Sequence, residues 1–529
     1  MRRFSSYGPP NKKLHYYAPR EALIANALRQ LQGEDPDEGG HYITIWAPRQ
    51  TGKTWIMQEV VSTIRQDPQF EVIIFPLQHL YNVTDVNRVA QIIAQELIEK
   101  LSLEKLTINT LEDFQQLFKR GTLTKPLILV LDEFDGLDKT VIAGLVSFFR
   151  NIYHLRQSQA NKSTIEKDYL LHGMALIGVR AVLGVENVKG SPFNVQRSLH
   201  IPNLTYDEVT YLFDWYQRES GQLIEPEVVE QIWYEFQGQP GLTSWIGELL
   251  TETYNETPTE PLTMKYFELV FRRDLNQLPN NNILNIISKA RQAPYKALVL
   301  ELFKTNEKQN FAYDDPHINY LYLNGVIGVE ETLDKIYVKF PCPFVQKRLF
   351  NAFARELFNY VGKLYAPFED LSETITEQSL NIKALMRRYE IYLQHNHSWL
   401  LKDAPRRHDL RIYEAVYHFL LYMYLSHFLQ HFEGQVFPEF PTGNGQIDLM
   451  IKHGGQIYGL EVKSFTNLPE YKKALKQATQ YGQQLAVKEL WLIFFVEFVD
   501  DDNRHRYEQV YSDAETGIRV NPVFVTIGQ

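Results

Sequence analysis

Two stretches of this 529-residue sequence combine residue types and spacings suited to phosphate chemistry. "APRQTGKT", residues 47–54, sets Gln50, Thr51, Gly52, Lys53 and Thr54 in succession. Such a loop at a helix N-terminus binds phosphate oxygens through backbone N–H groups, while the lysine reaches the β- and γ-phosphates and the hydroxyl serves Mg²⁺. Downstream, "LILVLDEFD" ends an apolar run in Asp132 and Glu133. These suit a water-mediated Mg²⁺ contact and polarisation of an attacking water, respectively. The second stretch, "QIDLMIKHGGQIYGLEVK", residues 446–463, carries Asp448, Glu461 and Lys463 within two short apolar runs.

A hairpin register makes the second stretch specific. If Gly454-Gly455 forms a two-residue turn, His453 faces Gln456 and Asp448 lies directly opposite Glu461. Side-chain alternation then puts Gln446, Asp448, Met450, Gly459, Glu461 and Lys463 on one face and the apolar Ile447, Leu449, Ile451, Tyr458, Leu460 and Val462 on the other. Opposed like charges destabilise a sheet. A divalent cation reverses that cost, and Lys463 is placed to orient water beside it. Taken alone, Glu-x-Lys on a strand also reads as a surface ion pair.

The elements that must hold these residues follow from periodicity. Residues 22–31 are helical in spacing, and the acidic loop "GEDPDEGG" separates them from strand-like "HYITIWA". "FEVIIFPL", "PLILVLDEF" and "GMALIGV" continue as strands between helices, which predicts a parallel sheet covered on both faces. The fold class expected is α/β multidomain: a phosphate-loop core over 1–205, a helical lid over 206–275, and a winged-helix-like segment over 276–350. A helical linker over 351–402 and an α/β domain over 403–529 complete the chain. In 276–350 a helix leads into two strands joined by a polar turn, an order that a small α+β connector also fits. The last domain opens on an apolar helix within 409–432. Strands follow at "VFPEF", "QIDLMIK", "IYGLEVK" and "LWLIFFVEF", with the helix "EYKKALKQATQYGQQLAV" before the last.

Composition narrows the class. A hydrophobic fraction of 44% with 22% charged residues argues for folded domains. The formal charge of -10 gives no overall basic surface, though a local basic groove remains compatible with it. One cysteine, Cys342, rules out an internal disulfide or a multi-cysteine zinc site. No apolar run reaches membrane-span length, and "MRRFSSYGPPNKK" lacks a signal segment, so a cytoplasmic location with no membrane partner is expected.

"APRQTGKT" with "LILVLDEFD" resembles the AAA-like and STAND-type P-loop ATPases, with Ala47 where the first glycine usually stands. "YYAPREALIANAL" looks like that group's leading segment near the base, "ALIGVRAV" its sensor strand and "GQPGLTSWIGELL" its lid. The resemblance implies ATP and Mg²⁺ as cofactors, Thr54 and Asp132 at the ion, and Arg180 at the γ-phosphate, with Arg197 a weaker candidate. Each arginine also reads as a surface ion pair.

Asp448 followed by Glu461-x-Lys463 resembles the PD-(D/E)XK nucleases, and "QATQY" matches the RecB-like helix motif through Gln477 and Tyr481. Glu414 in "RIYEAVYHF" matches the acidic residue many members carry on the preceding helix; a structural ion pair is the other reading. That resemblance implies Asp448 and Glu461 as ligands of Mg²⁺, or Mn²⁺, and DNA as substrate, with RNA equally compatible with the motifs. "HNH", residues 395–397, reads as loop or surface histidine. Together the motifs imply an ATP-dependent or ATP-regulated, Mg²⁺-dependent nuclease, assembling as a homo-oligomer; by analogy such a pairing fits defence against foreign DNA. The alternative is a non-catalytic STAND-like regulatory ATPase whose last domain binds nucleic acid or a protein partner.

Overall fold

Strands β1 (Tyr42–Trp46), β2 (Glu71–Pro76), β3 (Leu127–Asp132), β4 (Leu171–Gly178) and β5 (Arg197–His200) form a parallel sheet in the order β2-β3-β4-β1-β5. The structure, a computed structural model, describes all residues except 9–10, 36, 105, 179–196, 304–307, 367, 440–447, 466, 485–486 and 529. Two compact units result, one of Met1–Asp274 with Tyr313–Gly325, the other of Leu275–Ala312 with Val326–Gln529.

The parallel sheet belongs to the first unit. Its helices are α1 (Glu21–Gln32), α2 (Lys53–Ile64), α3 (Val86–Lys100), α4 (Leu111–Leu117) and α5 (Lys139–Gln157). β3 and β4 are buried along their whole length, as sandwiched parallel strands must be. Ile43, Ile45, Ile128, Val130, Ala175 and Ile177 pack toward α1 and α2. Tyr42, Leu129, Leu131, Met174 and Leu176 pack toward α3–α5. Each such Ile, Val, Leu or Met side chain contributes about 1.5–3 kcal/mol over an exposed one. β5 was not among the strands expected; it pairs with the outer side of β1, placing Arg197 beside Ile43. Four residues with no alternating apolar pattern leave little period to read.

Helices α6 (Tyr206–Ser220), α7 (Pro226–Phe236) and α8 (Pro240–Glu248) follow, then α9 (Met264–Gln277). Thr205 and Glu208 close a capping box on α6, and proline opens both α7 and α8.

In the second unit, α10 (Asn281–Arg291) and α11 (Tyr295–Leu302) come first. Asn280, in the polar break, caps α10 through the N–H groups of Asn282 and Ile283. α12 (Pro316–Leu323) falls in the first unit, while the antiparallel pair β6 (Gly328–Glu331) and β7 (Ile336–Lys339) falls in the second.

α13 (Pro343–Leu357) and α14 (Ile382–Leu400) bound a stretch expected to be helical throughout. The described residues between them form turns and one isolated bridge, Ile375 to Leu380, because the serine, threonine and asparagine side chains there close local turns. Residues 395–397 lie in α14 rather than in a loop, with His395 exposed on the surface.

α15 (Glu414–Leu429) precedes a mixed sheet in the order β12-β13-β11-β10-β9-β8. Its strands are β8 (Gln435–Glu439), β9 (Asp448–His453), β10 (Gln456–Ser464) and β11 (Glu489–Val496), with α16 (Leu468–Gln484) between the last two. α17 (Asp501–Tyr507), β12 (Tyr511–Ser512) and β13 (Arg519–Thr526) were not anticipated. Pro522 argues against an internal strand. β12 pairs only with Arg519 and Val520, however, so Pro522 sits where the strand edge is open.

Candidate functional site

The phosphate loop is built at the carboxyl end of β1. Ala47 is fully buried, Gln50 and Gly52 take left-handed backbone conformations at φ 58° and 88°, and Gly52 caps α2. Lys53 Nζ donates to the carbonyls of Ala47 at 2.8 Å and Pro48 at 2.7 Å, and Thr51 Oγ1 donates to Pro48 O at 2.9 Å. Desolvation in this loop lowers the ammonium from 10.5 to about 8, against the opposing pull of Asp135 and Asp132.

β3 delivers the acidic pair. Thr54 Oγ1 donates to Asp132 Oδ2 at 2.9 Å, and the Glu133 N–H donates to Asp132 Oδ1 at 2.9 Å. Glu133 is left-handed at φ 56°, and burial with the adjacent Asp132 raises its carboxyl above the usual range. The set of oxygen donors, Thr54 with a nearly buried Asp132, fits a hard cation such as Mg²⁺. The loop with Lys53 fits a polyphosphate.

Two lid residues that the sequence did not mark as functional hold this loop. Gln239 Nε2 donates to Arg49 O at 3.1 Å while its Oε1 caps α8, and the Gly241 N–H donates to Gln50 O at 3.0 Å. A Cβ on Gly241 would stand 2.5 Å from Gln50 Oε1 and 2.6 Å from its Cβ, so only glycine allows the approach. Gly241→Ala is therefore expected to displace Gln50 and weaken nucleotide affinity about tenfold, in keeping with overpacking costs of roughly 1–3 kcal/mol. Fluorescent-nucleotide titration checks it; unchanged affinity would separate lid from loop. Arg180 lies outside the described residues.

In the second unit the Gly454-Gly455 turn, with both glycines at positive φ, sets the expected register: His453 pairs with Gln456 and Asp448 with Glu461. Parallel pairing puts Glu461 beside Leu492 and Lys463 beside Phe494, residues of the face that α16 covers. Lys463 Nζ lies 2.7 Å from Glu461 Oε1 and donates to Gln477 Oε1 at 2.9 Å. Glu461 is fully buried and Lys463 is 5% exposed. Burial raises the Glu461 carboxyl, against the pull of Lys463. Tyr481 follows Gln477 by one turn of α16.

Glu414 opens α15, whose Tyr417 and His418 rings contact Phe495 on the opposite face of the sheet. Its carboxylate Oε1 is 3.8 Å from His418 Nε2. Among the described residues no group of three or more His, Cys, Asp or Glu side chains is assembled for a metal.

The strand–loop–helix with its acidic strand end, under a helical lid, coincides with a family match. Residues 11–251 match the model of the AAA-like domain. The AAA-like domain thus takes in the phosphate loop, Asp132 and Glu133, and the lid residues Gln239 and Gly241. No curated protein matches the chain. Among solved structures, the Walker-type ATPase PABY2304 of Pyrococcus abyssi is 14% identical at a TM-score of 0.45, covering 65% of this chain and 99% of that one. The Aeropyrum pernix ORC1 protein in complex with DNA is 16% identical at 0.33, covering 65% and 94%. RuvB of Thermotoga maritima is 15% identical at 0.34, covering 61% and 92%. Among the described residues no helix is long and apolar enough to cross a membrane.

Proposed function

We propose that the chain is an ATP-regulated, Mg²⁺-dependent nuclease that hydrolyses DNA phosphodiester bonds. The observation that carries the nuclease reading is the buried Glu461, paired in register with Asp448 and flanked by Lys463 and Gln477. A carboxylate with no solvent exposure, opposite another acidic position, is costly as a structural device. It is apt as half of a cation site. When bound there, Mg²⁺ would polarise the phosphodiester and lower the pKa of an attacking water. Gln477 fixes the Lys463 ammonium, which orients that water and offsets charge growing on the phosphate.

In the AAA-like domain, Lys53 and the loop N–H groups bind the ATP phosphates, Thr54 and Asp132 hold Mg²⁺, and Glu133 aligns water for hydrolysis. Burial raises the Glu133 carboxyl above the usual carboxylate range, which strengthens it as a proton acceptor. Glu133→Gln is expected to keep ATP affinity while lowering turnover about 10²–10⁴-fold, the usual span for a general base. Phosphate release under saturating ATP measures this, and undiminished turnover would remove Glu133 from the role.

Regulation by nucleotide is supported by the path of the chain. Tyr313–Gly325 packs with the ATPase unit although the residues on both sides of it belong to the second unit. Within that unit Trp46, the last residue of β1, contacts Tyr313 and Tyr322, and Gly325 lies against Pro48 of the phosphate loop. A shift of the loop on binding ATP is thus passed to residues joined directly to Val326 of the second unit. Homo-oligomer formation and a role in defence against foreign DNA belong to this same reading. Mass measurement with and without ATP and DNA tests the assembly.

A further inference from the structure

On the sheet face that α16 covers, the acidic row continues past β9. Glu439 on β8 pairs with Asp448, and Asp448 pairs with Glu461, so three acidic positions stand abreast on three antiparallel strands. Adjacent like charges on one sheet face repel. At one end Lys347 of α13, 2% exposed, reaches Glu439 Oε2 at 2.8 Å. At the other end Lys463 reaches Glu461 Oε1, while Glu461 Oε2 is buried with no hydrogen-bond partner among the described residues. A buried carboxylate oxygen without a donor forfeits its hydration uncompensated. It points to a ligand that supplies positive charge from within the row.

We propose that Glu439 is a third carboxylate of the divalent-cation site that Glu461 faces, with Lys347 competing for it when no ion is bound. This rests on the nuclease reading above. A cation of this class takes six or more oxygen ligands, and its affinity rises with the number of charged ones. Glu414 is the less suitable third group, because α15 packs on the other face of the sheet. Lys347 and the ion neutralise the same carboxylate, so each weakens the hold of the other. The ion site is thereby tied to α13, which no motif in the sequence connected with it.

The test is Mn²⁺ titration of the full-length, nucleotide-free chain followed by electron paramagnetic resonance. An Asp132→Asn background removes the cation site of the AAA-like domain. The expected results are loss of binding in Glu461→Gln, an affinity about tenfold lower in Glu439→Gln, the scale of a supporting ligand, and a higher affinity in Lys347→Met. The double variant Lys347→Met, Glu439→Gln leaves no unpaired buried charge at this pair, and should bind as weakly as Glu439→Gln. Wild-type affinity in Glu439→Gln or in the double variant, with Glu461→Gln still defective, overturns the assignment of Glu439 and leaves the nuclease reading intact. Weaker binding in Lys347→Met marks the pair as a structural clasp and also overturns it. No Mn²⁺ binding by the parent, or none lost in Glu461→Gln, overturns both readings.

Discussion

Glu461→Gln is expected to lower Mg²⁺-dependent cleavage of DNA about 10²–10³-fold, the scale of losing one preorganised electrostatic group at a reaction centre. The substitution keeps size and shape in a fully buried position and removes only the charge. Lys463 keeps its 2.9 Å contact to Gln477 but loses the counter-charge of Glu461. Two opposing terms bear on stability: the desolvation cost of the carboxylate disappears, and the ion pair with Lys463 is lost. The melting temperature of the metal-free protein should therefore fall by no more than the roughly 3–5 kcal/mol of a broken buried pair allows, while in an Asp132→Asn background the rise on adding Mg²⁺ should vanish. Cleavage of supercoiled plasmid and thermal melts with and without Mg²⁺ separate the two effects. A collapse of the fold would identify the Glu461–Lys463 pair as structural, and undiminished cutting would remove Glu461 from the chemistry.

Lys53→Ala is expected to abolish ATP turnover and to weaken ATP binding by about two orders of magnitude or more, since a desolvated ammonium near phosphates contributes several kcal/mol. The pH dependence carries a sign that can be checked. The folded ammonium titrates at about 8 and the unfolded one at 10.5, so between these values the unfolded chain binds more protons and stability rises with pH. The desolvation cost is fully present below pH 8. Phosphates restore the charged form, so nucleotide binding between about pH 8 and 10.5 takes up a proton and weakens as pH rises through 8. Calorimetry in buffers of differing ionisation enthalpy should detect that uptake in the wild type and not in Lys53→Ala. Equal proton uptake in both would move the effect to another group.

The two chemical stretches were legible because each depends on local spacing. A strand, a left-handed loop and a helix must follow in order around Lys53, and a two-residue glycine turn permits a single pairing of Asp448. Contacts made across the chain were less legible. That Gln239 and Gly241 hold the loop requires knowing that α8 returns to Gln50 from nearly 200 positions away. Glu439 carries no motif, and only the pairing of β8 with β9 puts it in the acidic row. β13 was hidden by Pro522, whose cost depends on how far β12 runs alongside it. Glu414 matched an acidic residue on the preceding helix, but the order of elements does not say which face of the sheet a helix covers.

The most direct measurement is the rate of plasmid cleavage by the full-length protein in Mg²⁺, with and without ATP, for wild type, Asp448→Ala and Lys53→Ala. The proposed function predicts cleavage by wild type that changes with ATP, cleavage by Lys53→Ala that does not, and none by Asp448→Ala. Equal cutting by wild type and Asp448→Ala would contradict a nuclease site on the acidic hairpin.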